Sequence, residues 1–316
     1  MSFQRYILKR LAITVPLLLG VTLFTFGMVH LIPGDPIDFI TLFQDLDPET
    51  QEAIRVQYGL DDPVHIQYLN WVADAATGDF GRSIATRRPV STEILDRLPY
   101  TVLMGTMAFG VAIVTAIPSG IAAAYYRDTK IDQLSRVFAL VGIALPNFWL
   151  GLILILVFAS WLGLFPVLPP TSEGLLSIRM LVYTLLPAIA IGTGSTALLM
   201  RLMRSSMVEE LGKDYVRTAR AKGLPERTVV RKHVLRNSLI SVVTVAAIQV
   251  AFIISGSVVV EIVFSYPGIG RLLVNRVGTR DFPVIQGLVL IIGVSVILAN
   301  LLADVLYAYL DPRIRY

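Results

Sequence analysis

Residues 282–303 read FPVIQGLVLIIGVSVILANLLA and contain no Asp, Glu, Lys or Arg. A helix of roughly 20 residues, rising about 1.5 Å per residue, crosses a hydrocarbon core of about 30 Å. This stretch therefore predicts a transmembrane helix. Five further stretches share its length and lack of charge, so the sequence predicts six spans in all, the other five being Leu11 to Leu31, Tyr100 to Tyr126, Val137 to about Leu162, Met180 to Met200 and Asn237 to Val260.

The composition of the 316-residue chain supports an integral membrane protein. Hydrophobic residues make up 55% of the chain and charged residues 16%, and the mean hydropathy is +0.69. About a quarter of the residues in a soluble domain are charged. The apolar content excludes a disordered chain, and the absence of cysteine excludes a disulfide framework. The formal net charge of +4 is too small to indicate a nucleic-acid-binding protein.

The charges between the spans predict the orientation of the chain. The N-terminal tail, residues 127–136, residues 201–236 and the C-terminal end together carry 18 basic and 7 acidic residues, whereas the opposite connections carry 9 basic and 14 acidic residues. Because Lys and Arg accumulate in cytoplasmic loops, both termini are predicted to be cytoplasmic. Residues 11–31 exceed a signal-peptide core in length and lack a small-residue cleavage site, so we expect them to remain as the first span.

On this topology the chain has four parts. They are the N-terminal tail with the first span at residues 1–32, an extracytoplasmic segment at 33–99, a five-span core at 100–310 and a cytoplasmic tail at 311–316.

The extracytoplasmic segment predicts a small helical cap between spans 1 and 2. Helical spacing appears over Pro48 to Tyr58 and over Val64 to Ala75. The alternative, a flexible spacer, would leave Trp71 and Phe80 with little to pack against.

The loop at residues 201–236 carries the signals of two helices joined by a tight corner. Ser206 and Glu209 have capping-box spacing and predict the start of the first helix. Gly223 is expected to end it with a positive φ, and Pro225 then begins a return helix over Glu226 to Leu235. Apolar residues mark one face of the first helix at Leu211, Tyr215, Val216 and Ala219.

Two interpretations of this first helix are open. A basic segment next to a span commonly lies against anionic lipid. However, lipid-facing helices carry bulky apolar side chains, whereas Ala219, Ala221 and Gly223 are small and permit close approach of another protein.

The segment DYVRTARAKG at residues 214–223 resembles the cytoplasmic coupling loop of ABC importer permeases of the dipeptide/oligopeptide group. Arg217 and Thr218 stand where the broader importer signature has Glu and Ala, and Arg217 resembles the peptide-group variant. The resemblance covers essentially the whole chain, since further segments match that group in order: His30 to Pro36, Tyr58 to Asp61, Gly78 to Gly81, Arg136 to Pro146, Val260 to Leu272 and Arg280 to Gln286.

The resemblance implies an all-α type I ABC importer permease fold with six transmembrane helices in the cytoplasmic (inner) membrane. It also implies three kinds of partner: a second homologous permease subunit, two cytoplasmic ATPase subunits and an extracytoplasmic substrate-binding protein. The residues implied to dock the ATPase are Leu211, Asp214, Tyr215, Val216, Arg217, Ala219, Arg220, Ala221, Lys222 and Gly223.

The chain has no Gly-x4-Gly-Lys-Ser/Thr phosphate loop, so we expect it to bind no cofactor and to catalyse no reaction. ATP and Mg would act through the partner ATPase subunits. The sequence therefore predicts the channel-forming subunit of an ATP-driven importer of di- or oligopeptides, working by alternating access. An ion-coupled secondary transporter with Glu261 and Asp304 as ion carriers is the main alternative, and a membrane-anchored receptor is another.

Polar residues inside spans are candidates for the substrate pathway. The candidates share one face of the fifth span at 3.6-residue spacing: Ser238, Ser241, Gln249, Phe252 and Gly256. For the two serines and Gly256, interhelical hydrogen bonding or small-residue packing is an equal alternative.

Glu261 and the turn that contains Pro267 and Gly268 predict an external gate after the fifth span. The alternative for Glu261 is that it reaches water or pairs with Arg271. Asp304 is expected to pair or cap near the cytoplasmic end of the last span. The three histidines, His30, His65 and His233, are far apart in sequence, so no metal site is predicted.

Overall fold

The computed structural model describes residues 3–30, 49, 61–255 and 257–310, and within these it contains helices and no strand. Two π-helical segments lie at Ile155–Trp161 and Val229–Leu235, and a short 3₁₀ helix lies at Thr171–Glu173. The α-helices are α1 Phe3–His30, α2 Val64–Thr77, α3 Val90–Tyr125, α4 Lys130–Ala144, α5 Asn147–Leu154, α6 Ile178–Leu211, α7 Asp214–Ala221, α8 Glu226–Thr228, α9 Arg236–Ser255, α10 Ser257–Val263, α11 Ile269–Gly278 and α12 Phe282–Leu310.

The predicted all-α integral membrane class is confirmed. Among the described residues, five helical stretches are long and apolar enough to cross a membrane, and the number rises to six if α4 and α5 form one bent span. The five are Ile7–Met28, Val90–Tyr125, Ile178–Leu211, Glu226–Val250 and Phe282–Val305.

The third predicted span, Val137 to Leu162, is not a straight helix. Instead, the chain bends by 106° between α4 and α5, at Leu145 and Pro146. Proline has no N–H for a helical hydrogen bond, and its ring disfavours a helical conformation of the preceding residue. Leu145 accordingly has an extended ψ of 128°, so the chain changes direction at this point.

Helices α3 and α6 form the centre of the fold and pack very closely. A Cβ atom added at Gly120 of α3 would lie 2.6 Å from the Cβ of Met203 and 2.9 Å from the carbonyl oxygen of Met200, both on α6. This separation requires small side chains at the contact. They recur every four positions along the buried face of α3: Ala108, Ala112, Ala116, Gly120 and Ala124.

Helix α1 packs against α12 and α2. Arg10 forms a 2.8 Å ion pair with Asp304, so Asp304 has the partner that the sequence led us to expect. Near the other end of α1, Thr22 shares a 2.9 Å hydrogen bond with Tyr68 of α2. The ring of Tyr68 also packs edge-on against that of Phe26, with ring centroids 5.4 Å apart. Helix α2 lies where the sequence predicted Val64 to Ala75, whereas the other predicted cap helix, Pro48 to Tyr58, falls outside the described residues apart from Glu49.

The close contact of α3 with α6 gives a stability prediction. Replacing Gly120 with Ala forces a methyl group against the backbone of α6, and overpacking of this kind typically costs about 1–3 kcal/mol. We expect a lower melting temperature for the purified protein, measured by intrinsic fluorescence.

Gly110→Ala is the matched control, because Gly110 lies on the same helix with no heavy atom within 4 Å of the added methyl group. Equal melting temperatures for the two variants would contradict the close packing.

Candidate functional site

Helix α6 extends well beyond the predicted fourth span and ends at Leu211. The capping-box prediction at Ser206 and Glu209 is therefore wrong, because both residues lie inside α6 rather than at the start of a new helix. Met203 and Met207 explain the continuation: spaced four residues apart, both are fully buried on the same face of α6. The predicted cytoplasmic helix begins only at Asp214, as α7.

Polar contacts hold α7 against the long helices on either side of it. The Tyr215 hydroxyl donates to the Glu210 carboxylate at the end of α6 and accepts a 2.9 Å hydrogen bond from Asn237 Nδ2 at the start of α9. Burial and the Glu210 hydrogen bond together raise the pKa of the Tyr215 phenol, so it stays protonated and can donate. Arg220 donates to both carboxylate oxygens of Glu226 in α8, at 3.0 and 2.6 Å. These contacts connect α7 to α6, α8 and, through Asn237, α9.

The structure differs from the predicted docking face of α7 at Val216 and Ala219. Val216 and Ala219 are buried inside this chain, against Met203, Met207 and Val229, so their side chains do not face a partner. An isolated helix reveals which face is apolar but not what covers it. The exposed residues of the predicted docking set are Asp214, Tyr215, Arg217, Arg220, Ala221, Lys222 and Gly223, while Leu211 is half-buried.

The corner after α7 has the geometry expected of a glycine. Gly223 has a φ of +75°, and its N–H donates to the Arg220 carbonyl oxygen at 2.9 Å. No heavy atom lies within 4 Å of an added Cβ atom, so the backbone conformation alone favours glycine here. The return helix follows as predicted over Glu226 to Leu235, then continues into α9 without a break.

At the opposite end of the spans, the Glu261 carboxylate is buried and caps the start of α11. It accepts hydrogen bonds from Thr101 Oγ1 of α3 at 2.8 Å and from the Arg271 backbone N–H at 2.9 Å. Thr101 Oγ1 in turn accepts from the Ile269 N–H at 2.9 Å. The positive end of a helix dipole stabilises a carboxylate in this position. The predicted pairing of Glu261 with Arg271 therefore involves the backbone amide of Arg271.

The turn between α10 and α11 fits tightly around this carboxylate. Pro267 and Gly268 are buried, and a Cβ atom on Gly268 would overlap the Glu261 carboxyl group. Tyr266 stacks on Tyr183 of α6, with ring centroids 6.0 Å apart and planes 3° apart. The predicted gate residues are thus brought together, but in this conformation they are enclosed by α3, α6 and α11.

The polar face predicted in the fifth span can be placed only in part. Gln249 Nε2 donates to Ser195 Oγ of α6 at 3.1 Å, which links α9 to α6. Ser241 is exposed, whereas Ser238 is buried and donates to the Val234 carbonyl oxygen at 2.9 Å. Gly256 and the side chain of Phe252 lie outside the described residues.

A buried polar network at the Glu261 end of the spans was missed by the sequence analysis. The Asp281 carboxylate accepts from Ser83 Oγ at 2.5 Å and from the Ile84 N–H at 3.0 Å. Arg276 of α11 donates to Glu93 of α3 at 2.9 Å. The charge of these residues suggested loops, and no local pattern indicates partners that lie almost 200 positions away. Within the described residues, no group of three or more His, Asp or Glu side chains is placed to hold a metal ion.

Comparisons with known proteins agree over nearly the whole chain. The model of the family described as "Binding-protein-dependent transport system inner membrane component" matches residues 116–316, and its N-terminal companion matches residues 3–105. The oligopeptide transport system permease protein AppB of Bacillus subtilis is 41% identical, over 98% of this chain and 99% of its own length. The glutathione transport system permease proteins GsiC of Salmonella typhimurium and Escherichia coli K12 are 43% and 42% identical, with the same coverage.

The tight fit around Glu261 predicts that Gly268→Ala disturbs the turn. The added methyl group cannot share the space of the carboxyl group, so α11 must shift or the Glu261 hydrogen bonds must break. We expect faster hydrogen exchange of the Ile269 and Arg271 amides, measured by mass spectrometry, together with a loss of stability of about 1–3 kcal/mol.

Gly278→Ala, at the far end of α11, has nothing within 4 Å of its added methyl group and should leave exchange unchanged. If Gly268→Ala exchanged like the unmodified protein, the enclosed carboxylate would be refuted.

Proposed function

This chain belongs to the family of binding-protein-dependent transport system inner membrane components, and from that premise we propose that it forms half of the pore of an ATP-driven peptide importer. It is an ABC transporter permease and a multi-pass inner membrane protein. The proposed assembly contains a second homologous permease subunit, two ATPase subunits that bind ATP and Mg, and an extracytoplasmic substrate-binding protein.

Peptides are the proposed cargo because the named relatives share that chemistry. One relative is named for oligopeptides and two for glutathione, which is itself a tripeptide. The family description, which names a binding protein, does not favour the alternative of ion-coupled secondary transport. Selection among peptides then lies largely with the binding protein.

The attachment of α7 to two spans is the observation that carries the proposed coupling mechanism. The ATPase subunit contacts the exposed face of α7, and Tyr215, Arg220 and their partners pass the movement to α6 and α9. ATP binding draws the two coupling helices together and opens the pore outward, and hydrolysis returns it inward. Moving a population from 1:99 to 99:1 requires about 5.5 kcal/mol of differential binding.

The pathway in this proposal follows α9 beside α6. The Gln249 contact with Ser195 joins these helices, and Ser241 is exposed on α9. Glu261, Pro267 and Gly268 belong to the outer gate, and the turn that contains them is released from α3 and α11 when the pore opens outward. Both termini, α7 and residues 127–136 lie on the cytoplasmic side.

Uptake of a labelled peptide into proteoliposomes tests the proposed function. The chain, its permease and ATPase partners and the loaded binding protein are reconstituted together. We expect uptake only with ATP and the binding protein present. Uptake that persists without ATP when a proton gradient is imposed would contradict the proposal and favour the secondary transporter.

A charge reversal tests the docking role of α7. Arg217 is 75% exposed and pairs at 3.6 Å with Asp214, which is 96% exposed and lies three residues before it, so Arg217→Glu leaves the packing of α7 within the chain intact. The proposed partner surface opposite Arg217 is acidic, so a glutamate there would be repelled, and we expect at least a tenfold loss of ATPase subunits that co-purify with the chain.

Arg179→Glu is the matched control. Arg179 is 72% exposed and lies at the start of α6, at the opposite end of that helix from α7. Equal retention of ATPase subunits by the two variants would mean that α7 is not the docking helix.

The proposed orientation can be tested with single cysteines, because the chain has none of its own. We expect a cysteine at Thr77, exposed at the end of α2, to react with a membrane-impermeant reagent in intact cells. A cysteine at Lys222 should react only after permeabilisation. The reverse labelling pattern would overturn the assignment of both termini to the cytoplasm.

A further inference from the structure

A surface cleft of about 340 Å³ lies between the end of α3, the part of α4 from Ser135 to Ile143, and α6. Its lining is largely apolar and includes three arginines. We call Ala139, Ile143 and Met200 part of its floor, and Arg136, Arg201 and Arg204 its rim. We propose that this cleft binds one anionic phospholipid, with an acyl chain on the apolar floor and the phosphate at the rim.

The charges around the cleft leave it positive. Arg204 makes a bidentate pair with the buried Asp132 carboxylate, at 2.5 and 2.8 Å, and Arg136 approaches the same carboxylate at 3.2 Å. Asp128, on the adjacent turn, pairs with Arg127 at 3.3 Å. Arg201 is exposed and has no side-chain partner among the described residues. Arg136 and Arg204 thus share one carboxylate and Arg201 pairs with none in the described part of the chain, which leaves a net charge of about two positive units for an anion.

The position of the cleft matches the depth of a phospholipid phosphate. Arg201 directly follows the charge-free stretch Met180 to Met200, and Arg136 directly precedes the apolar stretch that begins at Val137. Tyr125, the last residue of α3, and Tyr126, which follows it, are both about half exposed. Tyrosines at the ends of spans mark the membrane interface, where phosphate groups lie. The rim is therefore at headgroup level and the floor extends toward the hydrocarbon.

The combination of floor and rim distinguishes a lipid from a soluble anion. A free phosphate ester would need only the arginines and would leave the exposed side chains of Leu140 and Ile143 uncovered. An anionic phospholipid contacts both the floor and the rim. Its phosphate also balances the positive charge of the arginines that Asp132 leaves uncompensated. The exposed side chains of Leu140 and Ile143 give its acyl chain a path out of the cleft into the bilayer.

Lipid retention by the assembled transporter tests this site. The complex is reconstituted in nanodiscs of equal parts phosphatidylglycerol and phosphatidylcholine, extracted in mild detergent, and weighed by native mass spectrometry. We expect phosphatidylglycerol to be retained in preference to phosphatidylcholine. Arg201→Gln should lower its retention roughly fivefold, the contribution of one basic residue near an anionic surface. Ser135→Trp, which fills the cleft without a change of charge, should also displace it.

Arg227→Gln is the control, because it removes the same charge from an exposed position that does not line the cleft. Equal loss in Arg227→Gln and Arg201→Gln, or no preference between the two lipids in the unmodified complex, would overturn the proposal. Displacement of the lipid by millimolar glycerol phosphate would indicate a site for soluble phosphate esters instead. Crosslinking of a cysteine at Leu140 to the second permease subunit, with no lipid retained, would show that a protein covers the cleft.

Discussion

The close contact between α3 and α6 is the constraint on which the rest of the structure depends. Apolar side chains gain little by leaving lipid for a helix contact, so close packing of small residues must hold these helices together. Gly120 lies directly on the backbone of α6, and Gly192 lies on that of α3. With this pair in place, α6 carries Tyr183 to the turn beside Glu261 at one end and Met203 and Met207 to α7 at the other. A single rigid pair of helices therefore connects both parts of the candidate site.

Carboxylates at the ends of the spans show a second regularity. Glu261, Asp281 and Asp132 are all fully buried, and each accepts at least one hydrogen bond from a residue 72 or more positions away. A buried carboxylate without such partners would be costly, and losing one partner would leave charge uncompensated. Each carboxylate therefore fixes a connection between spans: Glu261 joins α3 to α11, Asp281 joins the α2–α3 connection to α12, and Asp132 joins α4 to α6.

These anchors define a path of contacts from α7 to the turn beside Glu261. The Tyr215 and Arg220 contacts connect α7 to α6, α8 and, through Asn237, α9, and the Gln249 contact with Ser195 joins α9 to α6. At the far end, Tyr183 of α6 donates a hydrogen bond to the Phe264 carbonyl oxygen in the turn beside Glu261. Packed helices and hydrogen bonds therefore connect α7 to this turn through residues that the structure describes.

The sequence by itself determined the membrane class, the number of apolar stretches, the presence and end of α7, and the positive φ of Gly223. These features depend on local properties: runs without charge, helical spacing, and the backbone freedom of glycine. The four-residue repeat of small side chains on α3 was also visible in principle, because a packing stripe has a local period.

Tertiary structure alone decided what each side chain meets. The apolar face of α7 proved to be internal at Val216 and Ala219, because Met203 and Met207 extend α6 to cover it. Glu261 proved to be enclosed, because Thr101, 160 positions earlier in the chain, lies against it. Helical periodicity defines a face but not its neighbour, and partners brought together by folding leave no mark at short range. The bend at Pro146 lies between these cases: the residue was visible, but its angle of 106° depends on how α4 and α5 pack on α6.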